Sequence, residues 1–301
     1  PHRRRVGADP ADLPRTPLRA RRRFPRFSVA GGFGLAAIAF LALVAVTGPW
    51  LVSPSPSHQS LANRLAPPLL FGGSASHPLG TDGLGRDLLA RVVAGARVTL
   101  VIGLSATLIS GAVGTILGVV AGYRGGRLDA VVTFLSDVQL ALPFVVVAIA
   151  VVAVLGASLL NVILVLAVTS WVSYARILRL QTMSLRGAAF VEAARASGAT
   201  EARIVVRHLL PNLSGPLLVV ASQQVAAVVL FEAALSFLGL GVGVSTITWG
   251  GMVATGKETL ASAWWVSVVP GAAIAVTVLG FNLFGDWLRD AMDPASRHGN
   301  A

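Results

Sequence analysis

Six long apolar runs restrict the fold of this 301-residue chain more than any other feature. They are Val29 to Val52, Val98 to Ala121, Ala130 to Leu155, Leu160 to Leu180, Leu213 to Leu238 and Ala263 to Leu288. About 20 mostly apolar residues cross the hydrocarbon core of a bilayer as a helix. Charged residues make up only 12% of the chain, about half the ~25% of a soluble domain, while hydrophobic ones make up 54%. The expectation is an all-α integral membrane protein with six transmembrane helices.

The run at 29–52 has a rival reading as a cleaved signal peptide. Such a peptide has an apolar region of only about 7–15 residues, so an uncleaved span is expected. Residues 1–28 carry nine Arg and too little apolar content to fold alone. They are expected as a disordered tail beside anionic lipid headgroups on the cytoplasmic side. Residues 53–96 are rich in Pro, Ser and Gly and read as an extracytoplasmic loop, with Asp87 to Arg97 forming a short separate helix. In the second span Gly114, Gly118 and Gly122 recur every fourth residue. That spacing lets helices approach closely in a bilayer. Residues 239–261 read as a loop, and 291–301 as a second cytoplasmic tail.

The formal net charge is +11. In a soluble protein that would suggest nucleic acid; here the Arg residues collect in tails and loops, so no nucleic-acid partner is expected. With both termini inside, 19 basic residues fall on the cytoplasmic side, Arg64, Arg86, Arg91 and Lys257 fall outside, and Arg97 sits at a boundary. A bias of that size fits the positive-inside rule in this orientation only. There is no Cys, which excludes a disulfide framework and a thiolate metal site. His58, His77 and His208 show no ligand spacing, so no metal site is expected.

One polar island, residues 187–213, interrupts the apolar pattern. It reads as two short helices. The first is alanine-rich and stops at Ser197-Gly198, since Gly adopts the left-handed conformation that ends helices. The second begins near Thr200 and is expected to close at Pro211. A short helix of small residues, flanked by Glu192, Arg195, Arg203 and Arg207, lets another protein approach closely. The island is read as a docking element for a soluble partner.

Glu192-Ala193-Ala194, then Gly198, Ile204 and Arg207-His208-Leu209-Leu210-Pro211-Asn212, resemble the EAA loop of ABC-importer permeases. His77-Pro78-Leu79-Gly80-Thr81-Asp82 with Gly85-Arg86-Asp87, the Glu232 to Gly241 stretch, and Asn282 to Ala291 with Asp293-Pro294 are similar to the dipeptide/oligopeptide/nickel branch of that family. The similarity covers roughly residues 30 to 295. It implies a permease core over 97–290 that couples ATPase closure to alternating access. Glu192, Ala193, Ala194, Gly198, Ile204, Arg207 and Pro211 would be the ATPase-coupling residues. It further implies a second homologous permease subunit, two ATP-binding subunits that hold ATP and magnesium, and an extracytoplasmic substrate-binding protein. Di- or oligopeptides are the implied cargo, with nickel or another small solute as the alternative.

Gly251 to Glu258 carries the glycine and lysine spacing of a phosphate-binding loop. The position after Lys257 needs Ser or Thr for magnesium and holds Glu258. The chain therefore carries no recognisable ATP site and is not read as an enzyme. A gradient-driven secondary transporter would show coupling carboxylates within inverted repeats, and no repeat relates the two halves. Polar residues inside the spans are costly in hydrocarbon and should face a cavity or a partner. Of these, Asp137, Gln139, Glu232 and Asn282 are candidates for the translocation path, against a plain interhelical hydrogen-bonding role. Asp137 and Gln139 are two apart, a spacing that does not put them on one helix face. Asp286 and Arg289, three apart, are expected to pair.

Overall fold

A computed structural model describes residues 28–51, 55–243 and 245–292, so Val52, nearly all of the basic tail expected over 1–28, and the C-terminal tail beyond Met292 lie outside the described residues. The described residues are helical, apart from connecting turns and one isolated bridge between Thr81 and Asp87.

Helix α1 (Val29–Leu51) matches the first apolar run. The second run differs from expectation: α2 (Leu88–Arg124) is one 37-residue helix, with no separate short helix before Val98. Asp87 starts it by accepting the N–H of Ala90 (2.8 Å), and no Pro interrupts the helix before Arg124. The third run breaks into α3 (Gly126–Ala141) and α4 (Phe144–Leu155), bent by 88°. Pro143 causes the break, because it disfavours helical geometry in the residue before it. Leu142 is accordingly extended, at φ −90° and ψ 123°. Helix α5 (Leu159–Arg186) is capped by Ser158 and runs six residues beyond the expected end at Leu180.

The polar island holds α6 (Ala189–Ala196) and α7 (Glu201–Ile204). Pro211 does not close the second helix. The chain passes from α7 through a π-helical turn, Val205–Leu209, directly into α8 (Leu210–Phe237). A proline inside an α-helix clashes with the carbonyl four residues back and removes one hydrogen bond. The wider turn, in which Leu210 donates to Val205 O, shifts the hydrogen-bond register just where Pro211 enters. The region expected as a loop after α8 contains α9 (Trp249–Gly256) and a 3₁₀ turn at Lys257–Thr259. Thr248 caps α9 by accepting the N–H of Gly251 (3.1 Å). The glycines of the apparent phosphate-binding loop thus lie in a helix. Helix α10 (Trp265–Met292) completes the described fold.

By length and composition, α1, α2, α5, α7 with α8, and α10 each suffice to cross a bilayer; the bent α3–α4 pair supplies the remaining apolar run. The α2–α5 contact is the tightest seam. A Cβ on Gly118 would lie 2.5 Å from Ala175 O, and one on Gly122 2.5 Å from Arg179 O. The expected glycine spacing therefore meets backbone directly, with Tyr174 and Leu178 fully buried alongside. A second core joins α1, α2, α8, α9 and α10 around Leu100, Val229, Trp249 and Phe281. Trp249 donates Nε1–H to Val92 O (2.8 Å), which pins α9 against α2.

Residues 55–87 form a compact knot at the start of α2 rather than a plain loop. Asp82 accepts the backbone N–H of Leu84 (2.9 Å) and Arg86 (3.0 Å) and pairs with Arg86 Nε (2.7 Å). His77 Nδ1 lies 3.1 Å from Asp87, and Trp265 donates Nε1–H to Thr81 O (3.2 Å). The family-like stretch from His77 to Asp87 therefore supplies the folding instructions of this knot. It ties the knot to α2 and α10.

Candidate functional site

The polar island sits at the end of the bundle opposite the knot. Val191 of α6, Ile204 of α7 and Leu209 are fully buried with Leu178 of α5 and Leu213 of α8, and Ala194 packs against them. This small core explains why α6 lies against the bundle instead of hanging free. Its other side faces outward: Phe190, Glu192, Ala193, Arg195 and Ala196 are exposed. Small side chains between charged ones leave a surface a partner's backbone can approach.

The stop after α6 has the geometry expected of it. Gly198 has φ +79°, with Gly198 N–H donating to Arg195 O (3.0 Å) and Ala199 N–H to Ala194 O (3.1 Å). This is a Schellman ending, which requires the left-handed residue where Gly198 stands. Thr200 then caps α7 by accepting the N–H of Arg203 (3.4 Å).

The expected coupling residues divide by exposure. Glu192, Ala193, Gly198, Arg207 and Pro211 are on the surface and Ala194 is half-buried, whereas Ile204 is wholly enclosed. Ile204 anchors the island and offers no side chain to a partner.

Two residues outside the motif complete the site. Tyr123, at the end of α2, donates its hydroxyl to Glu201 and accepts from Arg195 Nη2 (3.4 Å). Arg186, at the end of α5, donates to Tyr123 O (3.2 Å). Tyr123 thus joins α2, α5, α6 and α7. The other is Phe190, 39% exposed on α6. A bulky aromatic left open on a short polar helix is a sequence signal for contact, although it stands just before the Glu192-Ala193-Ala194 signature.

The candidate path residues do not converge. Asp137 pairs with Arg176, and Gln139 accepts from Trp171 Nε1 (2.6 Å) and donates to Thr169 O (2.9 Å). Both therefore reach α5 although they stand two apart on α3, Asp137 from an exposed position through the long Arg176 side chain. Asp129 and Arg179 (Nη2 to Oδ2, 2.7 Å) make a second tie between α3 and α5. Glu232 is fully buried in α8, where its Oε1 accepts from Ser236 (2.8 Å) and its Oε2 has no hydrogen-bond partner among the described residues. Asn282 is half-buried on α10. No ion pair joins Asp286 to Arg289 among the described residues.

Beside Glu232, at the knot end of the bundle, lies a cleft of 590 Å³. It is lined by Leu84, Arg86 and Arg91, by residues of the segment 236–243, and by residues of α9 with Lys257.

Comparison with known proteins places this architecture. The family described as "Binding-protein-dependent transport system inner membrane component" matches residues 114–298, and "N-terminal TM domain of oligopeptide transport permease C" matches residues 19–68. The di/tripeptide transport system permease protein DppC of Pseudomonas aeruginosa is 42% identical over 262 residues, 87% of this chain and 86% of that one. The probable D,D-dipeptide transport system permease protein DdpC of Escherichia coli is 39% identical over 257 residues, 85% of each chain. A chain of the MetNI methionine ABC transporter, solved in inward-facing conformations, shares the fold with a TM-score of 0.55 at 21% identity, over 67% of this chain and 97% of that one. The helices long enough to cross a bilayer, the buried glycine seam and these matches agree: the chain is a multi-pass inner membrane protein and belongs to the binding-protein-dependent transport system inner membrane components, the permease subunits of ABC importers.

Proposed function

We propose that this permease carries di- or oligopeptides inward, paired with a second homologous permease. Two ATP-binding subunits dock on α6 and hold ATP and magnesium, and an extracytoplasmic binding protein delivers the cargo. The observation that carries the reading is the exposed face of α6, closed by the left-handed Gly198 and backed by the Val191–Ile204 core. The peptide cargo is supported by the curated relatives, which are named as peptide permeases.

On this reading the island is cytoplasmic, where the ATPases are, and the knot and cleft face outward. Closure of the ATPases on ATP draws the two docking helices together. Because that binding favours one of two arrangements of the bundle, it shifts the population between inward- and outward-facing states. Glu192 and Arg207 meet the ATPase surface directly, and Ile204 transmits by anchoring.

Orientation is tested in this cysteine-free chain by single cysteines. One at Ser55 or Ser262 should react with an impermeant thiol reagent in intact cells, and one at Ser197 only after the membrane is opened. The reverse pattern overturns the orientation and the docking role together. Cargo is tested in proteoliposomes holding all subunits: ATP-dependent uptake of labelled Ala-Ala is expected. Uptake of nickel with none of peptide would overturn the peptide reading.

A further inference from the structure

The cleft between the knot and α9 has the make-up of a ligand site, and its charges point to one chemistry. Its volume of 590 Å³ falls within the roughly 300–1,000 Å³ of small-molecule sites. Leu84, Phe237, Leu238 and Met252 supply apolar wall. Three cations line it, Arg86, Arg91 and Lys257, against one carboxylate, Glu258.

Two of those cations are under-compensated. Arg86 and Arg91 converge on the single carboxylate of Asp82, with Nε distances of 2.7 and 3.5 Å. Asp82 is already committed to two backbone N–H groups. The side chain of Arg91 is only 10% exposed, and it also donates to a neutral carbonyl, Pro56 O (3.3 Å). Two largely desolvated guanidiniums sharing one carboxylate leave a net positive charge, and a desolvated charge is stabilised by an opposite charge with hydrogen-bonding geometry. Guanidinium matches a carboxylate in a two-point contact. In the same lining, Lys257 Nζ lies 4.9 Å from the ring centre of Phe237. The cation is held by an aromatic face, forms no ion pair among the described residues, and stands ready for an anion.

We propose that this cleft seats the C-terminal carboxylate of a peptide in transit, between Lys257 and the Arg86–Arg91 pair. The proposal rests on the peptide-import reading and deepens it. Every peptide ends in a carboxylate whatever its sequence, so a site that reads this group against generic apolar walls admits varied cargo. Ser236 and Thr248, which border both the cleft and Glu232, place the cleft against the buried acid without exposing it.

Thr255 lines the cleft and is exposed, so a cysteine there reports on occupancy. The assay uses the complete permease–ATPase complex in nanodiscs, with and without a non-hydrolysable ATP analogue and without the binding protein. Maleimide labelling of the Thr255→Cys variant is timed in the presence of Ala-Ala or of its C-terminal amide. In at least one nucleotide state Ala-Ala should slow labelling, by about threefold at twice its dissociation constant. The amide should not, and adding Lys257→Gln should remove the protection while Lys257→Arg restores it. Equal protection by acid and amide, or no protection in either nucleotide state, overturns the proposal. In a separate arm, ligand-free binding protein is added to the same complex; protection there with none from Ala-Ala also overturns the proposal, and makes the cleft a docking surface. Uptake of Ala-Ala by the same complex with binding protein, in proteoliposomes, reports separately on the underlying reading.

Discussion

Gly118 and Gly198 are the same residue put to opposite uses, and the two regions that hold them divide the molecule's work. At Gly118 a side chain has nowhere to go, since Ala175 backbone atoms lie 2.5 and 2.9 Å from where its Cβ would be. At Gly198 nothing lies within 4 Å, yet the backbone sits at φ +79°. The seam needs glycine for space; the island needs it for shape. A seam closed by backbone contact cannot adjust by repacking side chains, so α2 and α5 are best suited to move as one piece. The outer face of the island, Gly198 included, is bounded by open surface and can be altered without disturbing the core that holds the island to the bundle.

The largest effect is expected from Gly118→Leu. Overpacking costs about 1–3 kcal/mol and occasionally more, and here the clash is with backbone that no rotamer change relieves. Loss of monodisperse folded protein after detergent extraction is the expected result. Normal yield and thermal midpoint would show that the seam yields, and would end the claim that α2 and α5 form one piece.

Gly198→Val comes next. A left-handed β-branched residue costs roughly 1–2 kcal/mol in backbone strain, with no steric clash added. The permease should fold at near-normal yield, while the ATP-binding subunits wash off during purification. Retained ATPases with full transport would remove Gly198 from the docking role.

A smaller effect is expected from Tyr123→Phe, which removes the hydroxyl bridging α2 to Glu201 and Arg195. The ATPases should remain bound, but amide hydrogen exchange across residues 189–203 should quicken. Unchanged exchange would mean that the buried core alone holds the island.

Least of all should come from Glu232→Gln, which keeps shape and the Ser236 hydrogen bond but removes the capacity for charge. Assembly and uptake near normal are expected of a packing residue. Normal assembly with impaired uptake would instead give that acid a role in transport.

The apolar runs and the polar island were legible because each is set by local composition, and the membrane enforces it. The glycine spacing was equally readable, since in a bilayer small residues at that interval have few other uses. Three features escaped for reasons that lie in context. Pro143 reads as an interruption of one span, and only the packing of both halves shows an 88° bend. Pro211 reads as a stop, but the π-helical turn before it shifts the register and lets the helix continue. Tyr123 stands 78 residues before its partner Glu201, and nothing local marks it. The Asp82 knot was half legible: its residues stood out as a motif, while the hydrogen bonds that turn them into a folded unit did not.

The π-helical turn has a mechanical consequence. By letting the chain run from Glu201 to Phe237 without a stop, it joins 37 residues, Pro216 among them, into one continuous helix about 55 Å long at 1.5 Å per residue. One end of that helix carries Thr200 and α6, and the other carries Ser236 and Phe237 on the wall of the charged cleft. A lever of that length swings its far tip by about 1 Å for each degree of tilt. A few degrees imposed at the island would therefore reshape the cleft by the width of a hydrogen bond, with no relay of intermediate side chains needed.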